Sequence, residues 1–374
     1  MSKKLRNLHF ISNSCDHPYL NGLIENIESN EIEVFVGSLE PCGELHKHFE
    51  SIGIPSFSLD ARTRINYPMA ILKLARWLRK NNVDIIQTHL FDASVVGLLA
   101  AFLARTKIRI LTGHHSSEVQ YYRGKPTFWL DVIAARYLST NIIAPSEKMR
   151  EVFVEVEGVS PDKISVIRHG FDQTALSMAS KTADAADFWP NDGVRFLAIG
   201  RISWIKCYDG LLRAFREACN SEPNICLVIV GGGDVTELEQ LAQTLDINES
   251  VKFAGWRSDV VSILDMADIF VHNAVAESFG MVVIEAMMAG KPVISTSVGI
   301  AAEVIEDGRN GYLVPVQSVA ALGDAMIELS RSKNEWSKMG ENNRRIAGEF
   351  TSKKMASEHQ TVYSRWYFEA LRSD

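Results

Sequence analysis

The sequence predicts an α/β protein built from two doubly wound parallel-sheet domains that face each other across a cleft. Three observations carry that expectation. The chain is 374 residues long, more than one ordinary core accommodates. Short apolar runs alternate with amphipathic segments almost end to end, the pattern of an open parallel sheet with helices on both faces. The alternation also comes in two series separated by a break, which is how two domains read. A hydrophobic fraction of 46% and a charged fraction of 23% supply enough apolar material for two globular cores.

In the first series, strands are expected at residues 8–12, 33–37, 83–87, 108–112, 141–144 and 164–167. In the second they are expected at 194–199, 226–230, 251–254, 269–272, 292–295 and 312–314. Between Phe171 and Gly193 the stretch QTALSMASKTADAADFWPNDG loses apolar periodicity and reads as a linker. The expected domains are therefore residues 1–175 and 193–351, followed by a last helical segment, 352–374, with aromatic residues Tyr363, Trp366, Tyr367 and Phe368. No solenoid-length repeat interrupts this plan.

Composition excludes several classes. A formal charge of -7 gives no electrostatic reason to expect nucleic acid as a partner. The five cysteines are scattered without CxxC spacing, which reads as a reduced, cytoplasmic protein without structural zinc. The apolar part of MSKKLRNLHFIS is too short for a signal-peptide core and reads as the first strand. The longest apolar run, Ala93 to Ala104, falls short of the ~20 residues of a membrane span. The basic amphipathic stretch ILKLARWLRK, Ile71 to Lys80, reads as a sheet-covering helix with a solvated face; its alternative is peripheral contact with anionic lipid or an acidic acceptor.

In open parallel sheets ligands bind at the carboxyl ends of strands, so chemistry is sought just after them. The segment ESFGMVVIEAMMAGKPV, Glu277 to Val293, follows the strand ending near His272. A helix is expected from about Gly280 to Ala289, with Gly290 as its cap and Pro292 as its stop. Glu285 is the only charge inside this apolar helix, and a buried carboxylate is costly without donors. Glu277 lies just outside the N-terminus, where N–H groups and the helix dipole attract anions. The structural alternative is that Glu277 caps the helix and Glu285 pairs with a cation.

A second cluster, GRISWIKCYDGLLRAF, sets Arg201 and Lys206 between a strand and a helix starting near Cys207. Cations there can neutralise a diphosphate, Arg in two-pronged fashion and Lys as a point charge. The run VGGGDVTEL, which contains Gly232, does not complete GxGxxG and reads as a tight turn close to a nucleotide. His89 and His114 each follow a strand in the first series, and His115 competes with His114 for any role. No HxxxH or HExxH spacing occurs, so no metal site is expected.

Together these residues resemble the retaining glycosyltransferases of glycosyltransferase family 4, which have the GT-B fold of two facing Rossmann-like domains. Glu277 through Glu285 is similar to the family's E-x7-E element, and Arg201 with Lys206 to its GR-x4-K element. VKFAGW, NIIAPSEKM, KISVIRHGFD and EVIEDGRNGYLV are also similar to family segments. The resemblance implies that the second domain binds a nucleotide-sugar donor and that the last helix crosses back to the first domain. It implies that Arg201 and Lys206 hold the donor diphosphate, Glu285 the ribose and Glu277 the transferred sugar. Ser278, Phe279, Gly280, Met281 and Val282 would cradle phosphate and sugar; Trp256, Arg257 and Gly232 would lie near the base. His114 would match a histidine near sugar and acceptor, with His89 also on the acceptor side.

The implied reaction moves a hexose or N-acetylhexosamine, with retention and without metal, to a sugar, polysaccharide or glycolipid acceptor. No cofactor is expected beyond the donor substrate, with a UDP-sugar preferred to a GDP-sugar. The sequence departs from the family at ISNSCDHPYLNG after the first strand, at His169, at Cys207 and at Ile300. A nucleotide-sugar epimerase on the same architecture and a non-catalytic nucleotide-sugar-binding subunit are the alternative functions.

Overall fold

The computed structural model describes residues 4–113, 128–172 and 188–372. The chain divides into two compact units, residues 1–171 with 350–374, and residues 172–349. Each is a wholly parallel sheet flanked by helices. The first contains β1 (Leu5–Ile11), β2 (Ile32–Ser38), β3 (Ser56–Ser58), β4 (Ile85–His89), β5 (Ile108–Thr112), β6 (Asn141–Ala144) and β7 (Ile164–Val166). The second contains β8 (Val194–Ile199), β9 (Ile225–Val230), β10 (Val251–Gly255), β11 (Ile269–His272), β12 (Val293–Thr296) and β13 (Gly311–Val314). Six strands were expected in the first unit, and its sheet has seven among the described residues. The additional β3 is a three-residue edge strand, Ser-Phe-Ser, too short and polar to register as an apolar run.

Strand order is β3-β2-β1-β4-β5-β6-β7 in the first sheet and β10-β9-β8-β11-β12-β13 in the second. In both, the order reverses between two adjacent central strands: β1 and β4, then β8 and β11. Those switch points open crevices at the carboxyl edge, because the connections leave in opposite directions there. The central strands are buried on both faces, which is why they read as continuous apolar runs; all six residues of β9 are buried.

One face of the first sheet packs Leu8, Phe10 and Ile86 against helices Tyr67–Lys80 and Phe91–Ala104. The other packs Ile85, Ile110 and Ile143 against helix Pro18–Glu25 and the last helix, Ser352–Arg372, through Met355, Tyr363 and Trp366. The return of the chain is pinned where Phe171 bridges Thr351, and a Cβ at Gly170 would collide with the Thr351 carbonyl. In the second unit Phe196, Leu227, Ile229 and Val271 meet Phe215, Leu212 and Met326. Residues 173–187 of the expected linker lie outside the described residues.

Candidate active site

The site in the second unit is assembled at its switch point. After β8 the chain runs through Gly200 and Arg201 into a 3-10 turn, Trp204–Lys206, and then into helix Tyr208–Ser221. Cys207 joins turn to helix with φ of 48°, a left-handed conformation that costs a residue with a Cβ about 1–2 kcal/mol. The Asn273 amide donates to the Cys207 carbonyl at 2.9 Å, and the Tyr208 hydroxyl donates to the Gly200 carbonyl at 2.8 Å. The Val275 N–H donates to the Ile205 carbonyl at 2.7 Å. These bonds hold the loop after β8 against the loop after β11.

The consequence is a charge pair between neighbouring strand exits. The Lys206 ammonium donates to Glu277 Oε1, with side chains only 19% and 13% exposed. His272, fully buried at the end of β11, places Nε2 3.4 Å from the same oxygen and Nδ1 3.2 Å from Ser295 Oγ. Burial alone pushes the Glu277 carboxyl up, but the Lys206 charge, helped by His272, holds it well below the usual carboxylate range. Burial pushes the His272 ring down, partly opposed by Glu277. Glu277 is thus an ionised acceptor fixed in place before any ligand arrives. It does not cap the following helix.

That helix, Met281–Met288, starts after Gly280, whose φ of 91° suits glycine, and no side chain caps its N-terminus. Phe279 is anchored by full burial, and its carbonyl accepts from the Ile300 N–H at 2.7 Å. The uncapped N–H groups beside Lys206 form an anion-attracting edge. The helix is not buried all round: Val283, Ile284, Ala286 and Met287 are buried, while Met281, Val282, Glu285 and Met288 are half-buried on the remaining face. Among the described residues no side chain pairs with the Glu285 carboxylate, and burial pushes it up. The cation partner of the structural alternative is absent among the described residues, which leaves Glu285 an acceptor without a donor there.

Beside these residues lies a cavity of about 490 Å³ lined by Gly200, Arg201, Gly232, Trp256, Arg257 and Val260, among others. Arg201 is exposed, with no ion-pair partner among the described residues. Arg257 is held by a two-pronged contact with Asp259, at 2.8 and 2.6 Å. The glycine run has a packing reason, since a Cβ at Gly231 would strike the Gly200 carbonyl, and Ile202 N–H donates to the Gly232 carbonyl at 2.9 Å. Glycine lets the two loops close on each other, and Gly232 lines the cavity. The structure therefore brings Arg201, Lys206, Gly232, Trp256, Arg257, Glu277, Ser278, Phe279, Gly280, Met281, Val282 and Glu285 to one edge of one sheet.

The first unit differs. His89 ends β4 but is only 1% exposed. Its Nε2 is 3.1 Å from His9 Nδ1, and its Nδ1 is 2.8 Å from the Tyr19 hydroxyl. Both ring nitrogens of His89, expected on the acceptor side, are occupied by side chains of the same unit. The Asn7 amide donates to His9 Nε2 at 3.2 Å, which orients the whole chain of bonds from Asn7 through His9 and His89 to Tyr19. Tyr19 also packs on the His169 ring, 4.6 Å between centroids. His114 and His115 lie outside the described residues.

Two family models match consecutive parts of this architecture: one described as Glycosyltransferase Family 4 over residues 19–174, the other as Glycosyl transferases group 1 over residues 180–346. The chain belongs to glycosyltransferase family 4. This glycosyltransferase is 26% identical to N-acetyl-alpha-D-glucosaminyl L-malate synthase of Bacillus anthracis, a match spanning 88% of the chain and 87% of the relative. It is 23% identical to the capsular polysaccharide biosynthesis glycosyltransferase CapM of Staphylococcus aureus, over 98% and 99% of the two chains. The crystal structure of Anabaena HepE in complex with UDP matches with a TM-score of 0.79 at 22% identity, over 96% of this chain and 100% of that one. The same protein in complex with UDP-glucose matches at 0.78 and 22%, again over 96% and 100%. The glycosyltransferase thus has the GT-B fold of two Rossmann-like domains.

Sequence reasoning missed three contributors: His272, Asn273 and Ser295. His272 and Ser295 sit inside strand runs and Asn273 just beyond one, with no spacing signal. Only the adjacency of β11 to β12 and to the loop after β8 reveals them.

Proposed function

We propose that this glycosyltransferase moves a hexose or N-acetylhexosamine from a nucleotide-diphosphate sugar to a sugar, polysaccharide or glycolipid acceptor, with retention and without a metal. The observation that carries the reading is the Lys206–Glu277 pair beside the uncapped N-terminus of helix Met281–Met288, with unpartnered Glu285 one helical face along. Cation and helix end attract a diphosphate; two fixed carboxylate acceptors suit hydroxyl groups on either side of it.

Each residue then has a physical task. Lys206 and exposed Arg201 neutralise charge that develops on the departing diphosphate, and the first N–H groups of the helix do the same without reorganising. Glu285 accepts from the ribose hydroxyls, and Glu277 from hydroxyls of the transferred sugar. The cavity edged by Gly232, Trp256 and Arg257 receives the base. A UDP-sugar is the preferred donor, a choice supported by the UDP and UDP-glucose complexes of HepE. The relative named for capsular polysaccharide biosynthesis supports a place in surface polysaccharide or glycoconjugate synthesis.

A thermal-shift panel of UDP, GDP, ADP and their sugars tests the donor half. A ligand at ~100 times its dissociation constant stabilises by about 2.7 kcal/mol, so a UDP response is readily seen. Glu277→Ala is expected to abolish transfer while leaving the fold intact. Silence toward every nucleotide would sink the donor site. An epimerised sugar formed without acceptor, or nucleotide binding without turnover, would move the assignment to the epimerase or the binding subunit.

A further inference from the structure

Helix Tyr67–Lys80 buries Ala70, Leu74, Ala75 and Leu78 against the first sheet, as a sheet-covering helix should. Its half-buried Trp77 stacks on Phe57 with centroids 4.3 Å apart, so the helix is firmly seated. The opposite face is not the ordinary solvated one. Ile65 in the preceding turn is 86% exposed, Met69 55% and Leu72 45%. Spaced by four and three residues, they form one stripe, which continues into Arg76 and Arg79.

The charge on this segment is equally one-sided. Residues 61–83 hold six cations, Arg62, Arg64, Lys73, Arg76, Arg79 and Lys80, and no acid, in a chain with 39 basic and 46 acidic residues overall. Arg62 and Arg64 reach Asp60 and Asp92 at 3.5 and 3.4 Å, and Arg79 donates to the Leu103 carbonyl. Among the described residues Lys73, Arg76 and Lys80 meet no acidic partner. The Arg79 bond brings in the end of the next helix, where Phe102 and Leu103 are exposed and Arg105 follows. Apolar side chains without cover, rimmed by cations without counter-ions, match a surface that is apolar just beneath an anionic layer. An acidic protein would satisfy the cations but leave Ile65, Met69 and Leu72 without a reason.

We propose that this face docks the protein on an anionic lipid bilayer, with Ile65, Met69 and Leu72 entering the headgroup boundary and Lys73, Arg76 and Lys80 reading its charge. The contact is peripheral, for no helix among the described residues is long and apolar enough to cross a membrane. It is independent of the donor site, which lies in the other unit.

The test is co-sedimentation of the full chain with phosphatidylcholine vesicles and with vesicles containing 40% phosphatidylglycerol, at low and at moderate salt. Binding is expected on the anionic vesicles, weaker with salt, and absent on the neutral ones. Each cation near such a surface contributes roughly a fivefold factor, so Lys73→Ala with Arg76→Ala should lower partitioning about 25-fold. Met69→Ser with Leu72→Ser should lower it at low salt and leave less of it at moderate salt. All four residues are exposed, and an unchanged melting temperature will verify the fold. Equal binding to both vesicle types, no binding to either, or full binding by both double variants would overturn the proposal. So would a dimer in solution that Leu72→Ser dissociates, since the face would then belong to a second copy.

Discussion

The Lys206–Glu277 pair makes a quantitative prediction about the resting protein. Both side chains are mostly buried, yet each keeps some water access, so an effective dielectric of ~20 is appropriate and a contact pair is worth about 4 kcal/mol of Coulomb attraction. In Lys206→Met the cation goes and the carboxylate stays in its low-dielectric site. Breaking a buried pair in this way costs about 3–5 kcal/mol, reduced here because His272, 3.4 Å from the same oxygen, still opposes the burial of the Glu277 charge. A loss of about 2–3 kcal/mol in the stability of the second unit is expected. Urea unfolding of Lys206→Met, Glu277→Gln and the double variant isolates the coupling, because Glu277→Gln removes the charge that Lys206 serves.

The pH dependence has a definite sign. In the native protein the Glu277 carboxyl is held below its unfolded value, so its contribution is fully present above about pH 4.5 and is lost as pH falls below that. In Lys206→Met only His272 remains to oppose burial, and the carboxyl moves upward. The variant's deficit is therefore greatest near neutrality and shrinks as acid protonates the orphaned group. A coupling within about 0.5 kcal/mol of zero, or a deficit that grows on acidification, would refute the pair as the resting state of the site.

Two further outcomes follow from unusual burial. Glu285→Gln removes a carboxyl raised by burial and left without a partner, so ligand-free stability should rise by about 0.5–1 kcal/mol while UDP affinity falls at least about tenfold; undiminished UDP binding measured by calorimetry would remove Glu285 from the ribose contact. In the first unit, burial pushes His9 and His169 down to about 3, His359 down to about 4, and His89 well below its ordinary value. Native histidines that refuse protons make stability full above about pH 6.5 and cause it to decline on acidification toward pH 3–4, by up to about 1.4 kcal/mol per pH unit for each ring. Urea unfolding at pH 7.5 and pH 5.5 should show that decline, and equal stability at the two values would contradict the buried, neutral chain.

The fold was legible because both sheets are covered on both faces, which turns their central strands into apolar runs that alternate with helices. β3 escaped for the converse reason: an edge strand with one apolar residue, Phe57, has no run to detect. The residues at the carboxyl edge of the second sheet were legible as a set, since each follows a strand. Their connections were not. Lys206 was expected on a diphosphate and Glu277 at a helix end, yet the two meet across 71 residues of sequence. That meeting depends on β8 lying beside β11, an adjacency that skips two strands and is invisible to local spacing. His272 was missed for the same reason, because its partners Glu277 and Ser295 lie in a loop and a neighbouring strand.

The two switch points also show why similar topology leads to different chemistry. At β1 and β4 the facing polar residues are His9 and His89, neutral and hydrogen-bonded to each other, with every ring nitrogen satisfied. At β8 and β11 the facing residues are an ammonium and a carboxylate, joined by a histidine and bordered by an uncapped helix and a carboxylate with no partner among the described residues. The first arrangement leaves none of these ring nitrogens without a partner. The second holds unused capacity: donors on the helix end, acceptors on Glu277 and Glu285, and the exposed charge of Arg201. If an incoming anion draws the Lys206 ammonium away, Glu277 keeps His272 beside it, with Nε2 3.4 Å from the same oxygen. Replacing His272 with Phe should therefore weaken nucleotide-sugar binding more than free-protein stability, whereas a purely structural histidine would do the reverse.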